Sequence, residues 1–306
     1  MAPPALKSSR QAADIPLTRP SYVVVMSAVV ELPFIAIAPR DVAGWMASLQ
    51  ERDLPVQASS TRAIAELAAN EDAVDAHMLG ETLGADPLMV LNVLRVVAQR
   101  RSSRAVTDAE TMTAALVLLG IPPFFHAFSS LATVEDRLGD FPAALEGFQG
   151  VLQRAHRAAR FALAFAVHRL DHDAAVIHEA ALLHDFAEML LWLHAPALAL
   201  DIAGRQRADS RLRSADVQRQ VLHVTLAELQ QALMRAWRLP ELLIQISDDQ
   251  ASPSPQVRNV QLAIRLARHT AHGWDNAALP DDCSDIASLL NMGIEPTIQL
   301  LREIDE

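Results

Sequence analysis

Residues 180–194 read AALLHDFAEMLLWLH, an apolar helical run that carries a His-Asp pair, His184-Asp185, where a purely structural helix would place Leu or Ala. A helix this apolar is expected to bury itself against other helices, and a charge buried with it needs a partner. The rest of the chain has the same character. Of its 306 residues 51% are hydrophobic and only 10 are Gly, in a body rich in Ala and Leu. The expected fold is therefore all-α, with a core large enough for one or two domains.

Charge and cysteine usage exclude several classes. A formal net charge of -11 argues against a nucleic-acid-binding face, because neutralising phosphates needs a surplus of Lys and Arg. The one basic cluster, AQRRSSR at 98–104, reads as a solvated helix end. The single Cys283 cannot form an internal disulfide or a cysteine-based zinc site, which fits a reducing cytoplasm. The first twenty residues mix Pro, Ser, Lys and Arg without an apolar stretch and read as a mobile leader with no signal peptide. YVVVMSAVVELPFIAIA, from 22 onward, is short for a membrane span and holds Glu31 and Pro33. It reads as a short strand or an apolar arm laid on the core.

Helix signals punctuate the remainder. Asp86-Pro87 supplies an N-cap and a first-turn proline for a helix with Leu88, Leu91, Val93, Leu94 and Val97 on its apolar face. Thr107 and Glu110 stand at capping-box spacing before a helix that ends at Gly120. TVEDRLGDFPAALEG (133–147) reads as a hinge between two helical halves. Long helices are expected over roughly 148–169 and 174–194, joined by LDHD, then near 216–237, 240–247 and 256–272, with one or two short ones in the tail. The expected organisation is a leader and arm over 1–45 and a helical domain over 46–306. Its two lobes would span 46–135 and 148–306.

Chemistry is suggested by one cluster. His156 lies about 15 residues before the centre of the LDHD turn and His184 about 13 after it. At roughly 1.5 Å of rise per residue the two stand at similar heights on an antiparallel hairpin and could face each other. Together with Asp185 they would suit Fe, Mn or Zn. A hydrolytic centre needs a further ligand and an open position for water. Glu188 shares the face of His184 and is a candidate hydrogen-bond partner or ligand, and Asp248-Asp249 are carboxylates at a helix end. The helix best placed to complete the site, VRNVQLAIRLARHTAHGW, looks inward with Val260, Leu262, Ala263 and Ile264. His223 and Glu228 are five apart and do not share a face. The other histidines read as turns, helix ends or isolated positions: His168 and His172, His178 beside Glu179, His269 and His272, His77 and His126. Phe161-Phe165 and Leu190-Trp192 have core spacing. The chain has no Gly-rich phosphate loop, GxSxG or CxxC.

Over roughly residues 50–275 the chain resembles the HDOD family, the HD-related output domains of bacterial signalling proteins. The resemblance rests on LPV at 54–56, NEDAVDAHMLGETLGADPLMVLNVLRVV, MTAALVLLGI, His156 in LQRAHRAARFALAFAVH, HEAALLHDFAEMLL and LMRAWRLPELLIQI. It implies a two-lobed all-α fold related to the HD phosphohydrolases, acting as a signalling or protein-interaction module. The usual HDIGK reads HDFAE, with Glu188 in place of Lys, and a histidine of the following helix is matched by Leu226. Paired histidines fall at Asp248-Asp249, a metal-binding aspartate at Ile264, and the usual ANS reads VAQ. His156, His184 and Asp185 survive, too few for an ordinary hydrolytic site.

Two readings follow. In the first, the chain is a non-catalytic cytoplasmic module with no resident cofactor, no nucleic-acid partner and no transmembrane segment. It binds a signalling protein or a small regulatory ligand, and His184-Asp185 is a hydrogen-bonded pair that orients two helices. In the second, it is a divergent metal-dependent phosphohydrolase or phosphodiesterase. A divalent transition metal would then sit at His156, His184 and Asp185, with Glu188 or Asp248 completing its shell.

Overall fold

The computed structural model describes residues 33–100, 109–209, 211–248 and 254–305. The leader, most of the arm, Thr107 and Asp249 lie outside them. The described part of the arm, Pro33 to Ile37, forms no strand. Phe34 and Ile35 pack against the core, and the Ile35 N–H donates to the His194 carbonyl at 2.7 Å.

The first half of the chain contributes α1 (Val42–Leu49), α2 (Ala58–Ala68), α3 (Ala76–Leu83), α4 (Pro87–Arg100), α5 (Met112–Leu119), α6 (Ile121–Phe128) and α7 (Val134–Leu138). Asp86 caps α4 as its sequence predicts, its Oδ1 accepting from Leu88 N and Met89 N. It also reaches outward, because Oδ2 accepts from Gln57 N and the Ser60 hydroxyl. The cap of α5 is Thr111, accepting from Ala114 N at 3.3 Å, and not Thr107. Gly120, at φ 83°, lets α5 turn directly into α6, whose prolines occupy its first turn. The one strand-like pairing among the described residues is an isolated parallel bridge between Val56 and Thr133.

The second half contributes α8 (Pro142–His168), α9 (Ala174–Leu183), α10 (Phe186–His194), α11 (Pro196–Ala208), α12 (Ser214–Leu222), α13 (Leu226–Ala236), α14 (Glu241–Ile246), α15 (Pro255–His269), α16 (Leu279–Leu290) and α17 (Ile294–Asp305). Besides α11, where no helix was expected, expectation and structure differ in three places. The stretch expected to be a loose hinge holds α7 and the first turn of α8, which Pro142 starts. The single helix expected near 216–237 is two, because His223 adopts a left-handed conformation (φ 65°) and Thr225 and Glu228 form a capping box for α13. Most consequentially, the helix expected over 174–194 breaks at His184-Asp185.

Helix α8, 27 residues long, is the spine, packed by α9, α10, α15 and α17. The chain from Leu32 onward forms one compact unit, and α1 ties its start to its second half: Trp45 is fully buried and donates its indole N–H to the Leu222 carbonyl at 2.9 Å. Among the described residues no single helix is long and apolar enough to cross a membrane.

Candidate functional site

The centre of interest is the break between α9 and α10. Asp185 sits at φ −103°, ψ 20°, the bridge region between helix and strand. Its carbonyl starts α10 by accepting from Glu188 N and Met189 N. This backbone turns both side chains of the pair into the second-half core, where His184 is 8% and Asp185 6% exposed.

Asp185 is held from three directions. Arg154 of α8 donates through Nε to Oδ2 at 2.8 Å, and Arg268 of α15 through Nη2 to Oδ1 at 2.7 Å. The His184 Nδ1–H points at Oδ1 from 3.1 Å. Arg154 also donates through Nη2 to Glu188 Oε2 at 2.6 Å. Burial alone would raise the pKa of Asp185. Arg268, Arg154 and the His184 hydrogen bond overcome it and hold the carboxyl well below the usual carboxylate range. Arg154 is likewise buried, yet Asp185 and Glu188 keep it firmly protonated.

The structure does not bring together the three residues expected to share a metal, His156, His184 and Asp185. His156, expected to face His184, instead donates from Nε2 to the Ala85 carbonyl at 2.6 Å, just before α4. Burial, and secondarily the neighbouring His156, lower the pKa of His178 on α9. Glu188, expected beside His184, serves Arg154. Asp248 lies 3.9 Å from Arg235. Ile264 is buried in the core of α15. Leu226 opens α13 and, with Glu188, Leu191 and Trp192 of α10, lines one side of a groove that α11 and α12 complete.

These donors do not fit a metal. Among the described residues no group of three His, Cys, Asp or Glu side chains is placed to hold one. Both Asp185 oxygens already accept from guanidinium groups. A divalent ion beside Asp185 would meet two fixed positive charges, each repelling it by about 8 kcal/mol at 4 Å for an effective dielectric near 20.

Sequence reasoning passed over several groups that the structure singles out. Arg154 and Arg268 sit among other arginines on α8 and α15, and nothing in the sequence sets them apart. Glu179, expected merely to begin a helix, accepts from Met112 N at 2.7 Å and so caps α5 of the first half. Burial pushes its carboxyl up to about 7, and Oε2 has no partner. His194 is buried with neither ring nitrogen bonded. His269, expected to be an exposed helix end, donates to buried Asp282 at 2.5 Å. A buried polar group within an apolar run is the sequence signal shared by Glu179 and His194.

The class of protein is thus an all-helical domain whose histidine-aspartate pair is gripped by arginines. The family model that matches is the HDOD domain, over residues 54–253, and the chain belongs to that family. The MmoQ response regulator from Methylococcus capsulatus str. Bath is similar in structure, at 20% identity and a TM-score of 0.62, with 82% of this chain and 99% of that one covered. So is a virulence factor from Campylobacter jejuni subsp. jejuni, at 15% identity and a TM-score of 0.59, with 85% and 92% covered. At these identities the likeness is one of fold. No curated protein sequence matches the chain.

Proposed function

We propose that the chain is a non-catalytic signal-transduction module that works in the cytoplasm by binding a partner protein or a small regulatory ligand. One observation carries this reading: Asp185, the residue an HD hydrolase would devote to its metal, gives both oxygens to Arg154 and Arg268. A buried aspartate paired in this way orients α8, α10 and α15, and each of its oxygens already faces a guanidinium that an incoming cation would have to displace. Family membership supports the reading, as does the description of a similarly folded protein as a response regulator.

The test is elemental analysis of full-length protein purified without added metal, followed by hydrolysis assays with Mn²⁺ on a nitrophenyl phosphodiester and on cyclic dinucleotides. The expected result is metal far below one ion per chain and no turnover. One tightly held ion per chain, with turnover abolished by Asp185→Asn, would instead make the protein a phosphodiesterase.

A further inference from the structure

Helix α17 closes on α8 through a carboxylate in an unusual place. Asp305 lies in its last turn, where the helix dipole disfavours an acid. What keeps it there is tertiary. Arg157 of α8 grips it with a two-pronged fork, Nε to Oδ1 at 2.8 Å and Nη2 to Oδ2 at 2.6 Å. The Trp274 indole N–H donates to Oδ2 at 3.1 Å, and Arg160 stands 3.8 Å from Oδ1. The cleft is built, because Arg157 also donates to the Thr270 hydroxyl at 2.7 Å, and Arg302 lies over the Trp274 ring. Its partners hold the Asp305 carboxyl below the usual carboxylate range, the Arg157 hydrogen bonds foremost.

The rest of α17 is lightly anchored. Only Thr297 and Leu301 of its twelve residues are buried, with Ile298, Leu300 and Ile304 half-buried against α8 and α16. An isolated helix of this length is marginal in water, so its docking rests on a few apolar side chains and one ion-pair cluster. Such an element belongs to the least stable part of a fold. The face it covers is locally basic in an acidic chain, through Arg157 and Arg160 of α8. Basic groups around a rigid guanidinium fork steer and orient an acidic partner.

We propose that α17 is a displaceable latch, and that the cleft of Arg157, Arg160, Thr270 and Trp274 docks an acidic amphipathic helix of a partner protein, whose carboxylate takes the place of Asp305. The inference specifies the partner of the signalling reading, and the cleft is separate from Asp185. The exchange reaches the HD pair by a short path. Arg157 holds the end of α15 through Thr270, two residues from Arg268, which holds Asp185.

Two measurements test this on the full chain. Hydrogen exchange of the wild type should show α17 amides exchanging at least about tenfold faster than those of α8 and α15. A labelled peptide with the sequence of residues 293–306 should bind Asp305→Asn, whose own latch is weakened, at least about tenfold more tightly than wild type. Adding Arg157→Gln should abolish that binding. Protection of α17 equal to that of α8, or peptide binding indifferent to Arg157, overturns the proposal. A metal-dependent turnover would overturn the non-catalytic reading and leave these two results unaffected.

Discussion

Arg154 and His156 lie two residues apart on α8 and serve different partners: the guanidinium holds Asp185 and Glu188, while the imidazole holds the Ala85 carbonyl. The residue of this helix that reaches the His184-Asp185 pair is therefore the arginine. Arg154 is the cation for two carboxylates, one of them buried. Arg154→Ala should leave Asp185 with a single guanidinium and destabilise the protein by about 3 kcal/mol, as breaking a buried pair does. Pairing it with Asp185→Asn in a double-mutant cycle should recover a large part of that loss. Urea unfolding of the four proteins measures this, and additive effects would mean the contact contributes nothing of its own.

Much of the architecture was legible because it is written locally. Asp86-Pro87 announces a cap, Gly120 an exit, and the apolar periods of α8 and α10 a buried spine. The break at His184-Asp185 was not legible, because LLHDFAE has no Gly or Pro and helical apolar spacing on both sides. What opens it is tertiary, since Arg154 and Arg268 arrive from helices 31 and 83 residues away. The register estimate that set His156 opposite His184 counted height along a hairpin and ignored rotation about the axis. Rotation decides that Arg154 faces Asp185 and His156 faces Ala85.

Glu179 gives a pH signature with a definite sign. Its folded value is raised to about 7 by burial, above the ordinary 4.5. Between those values the folded state holds a proton that the unfolded state has released, so this contribution to stability is full below about 4.5 and is lost as pH rises through about 7. Glu179→Gln keeps an acceptor for Met112 N and has no proton to lose. It should gain about 1–3 kcal/mol over wild type at pH 8 and almost nothing at pH 4.5. Equal differences at the two pH values, in paired denaturation curves, would refute the assignment.

His194 works in the opposite direction. Burial first, then the charges of Arg52 and Arg137, lower its value from 6.5 to about 3. The unfolded state takes up a proton that the folded state refuses, so stability present above about 6.5 is lost as pH falls toward 3, by about 1.4 kcal/mol per unit. His194→Phe keeps a ring in the cavity and removes two unbonded nitrogens. At pH 5 it should exceed wild type by about 2 kcal/mol more than it does at pH 7.5. A thermal melt series across that range reads the difference directly.

Gly147 tests how tightly α8 and α10 are joined. A Cβ at this position would stand 2.5 Å from Cη2 and Cζ2 of the buried Trp192 ring. Alanine in a helix otherwise gains about 1 kcal/mol over glycine. Here the ring cannot yield easily, because Trp192 is 6% exposed. The overpacking cost of about 1–3 kcal/mol should cancel or exceed the helical gain. Gly147→Ala is therefore expected to lower the urea midpoint or leave it unchanged. Gly150→Ala, on the same helix with nothing within 4 Å of the added carbon, should raise it. If Gly147→Ala stabilises as much as Gly150→Ala, the two helices pack more loosely than the Gly147–Trp192 contact requires.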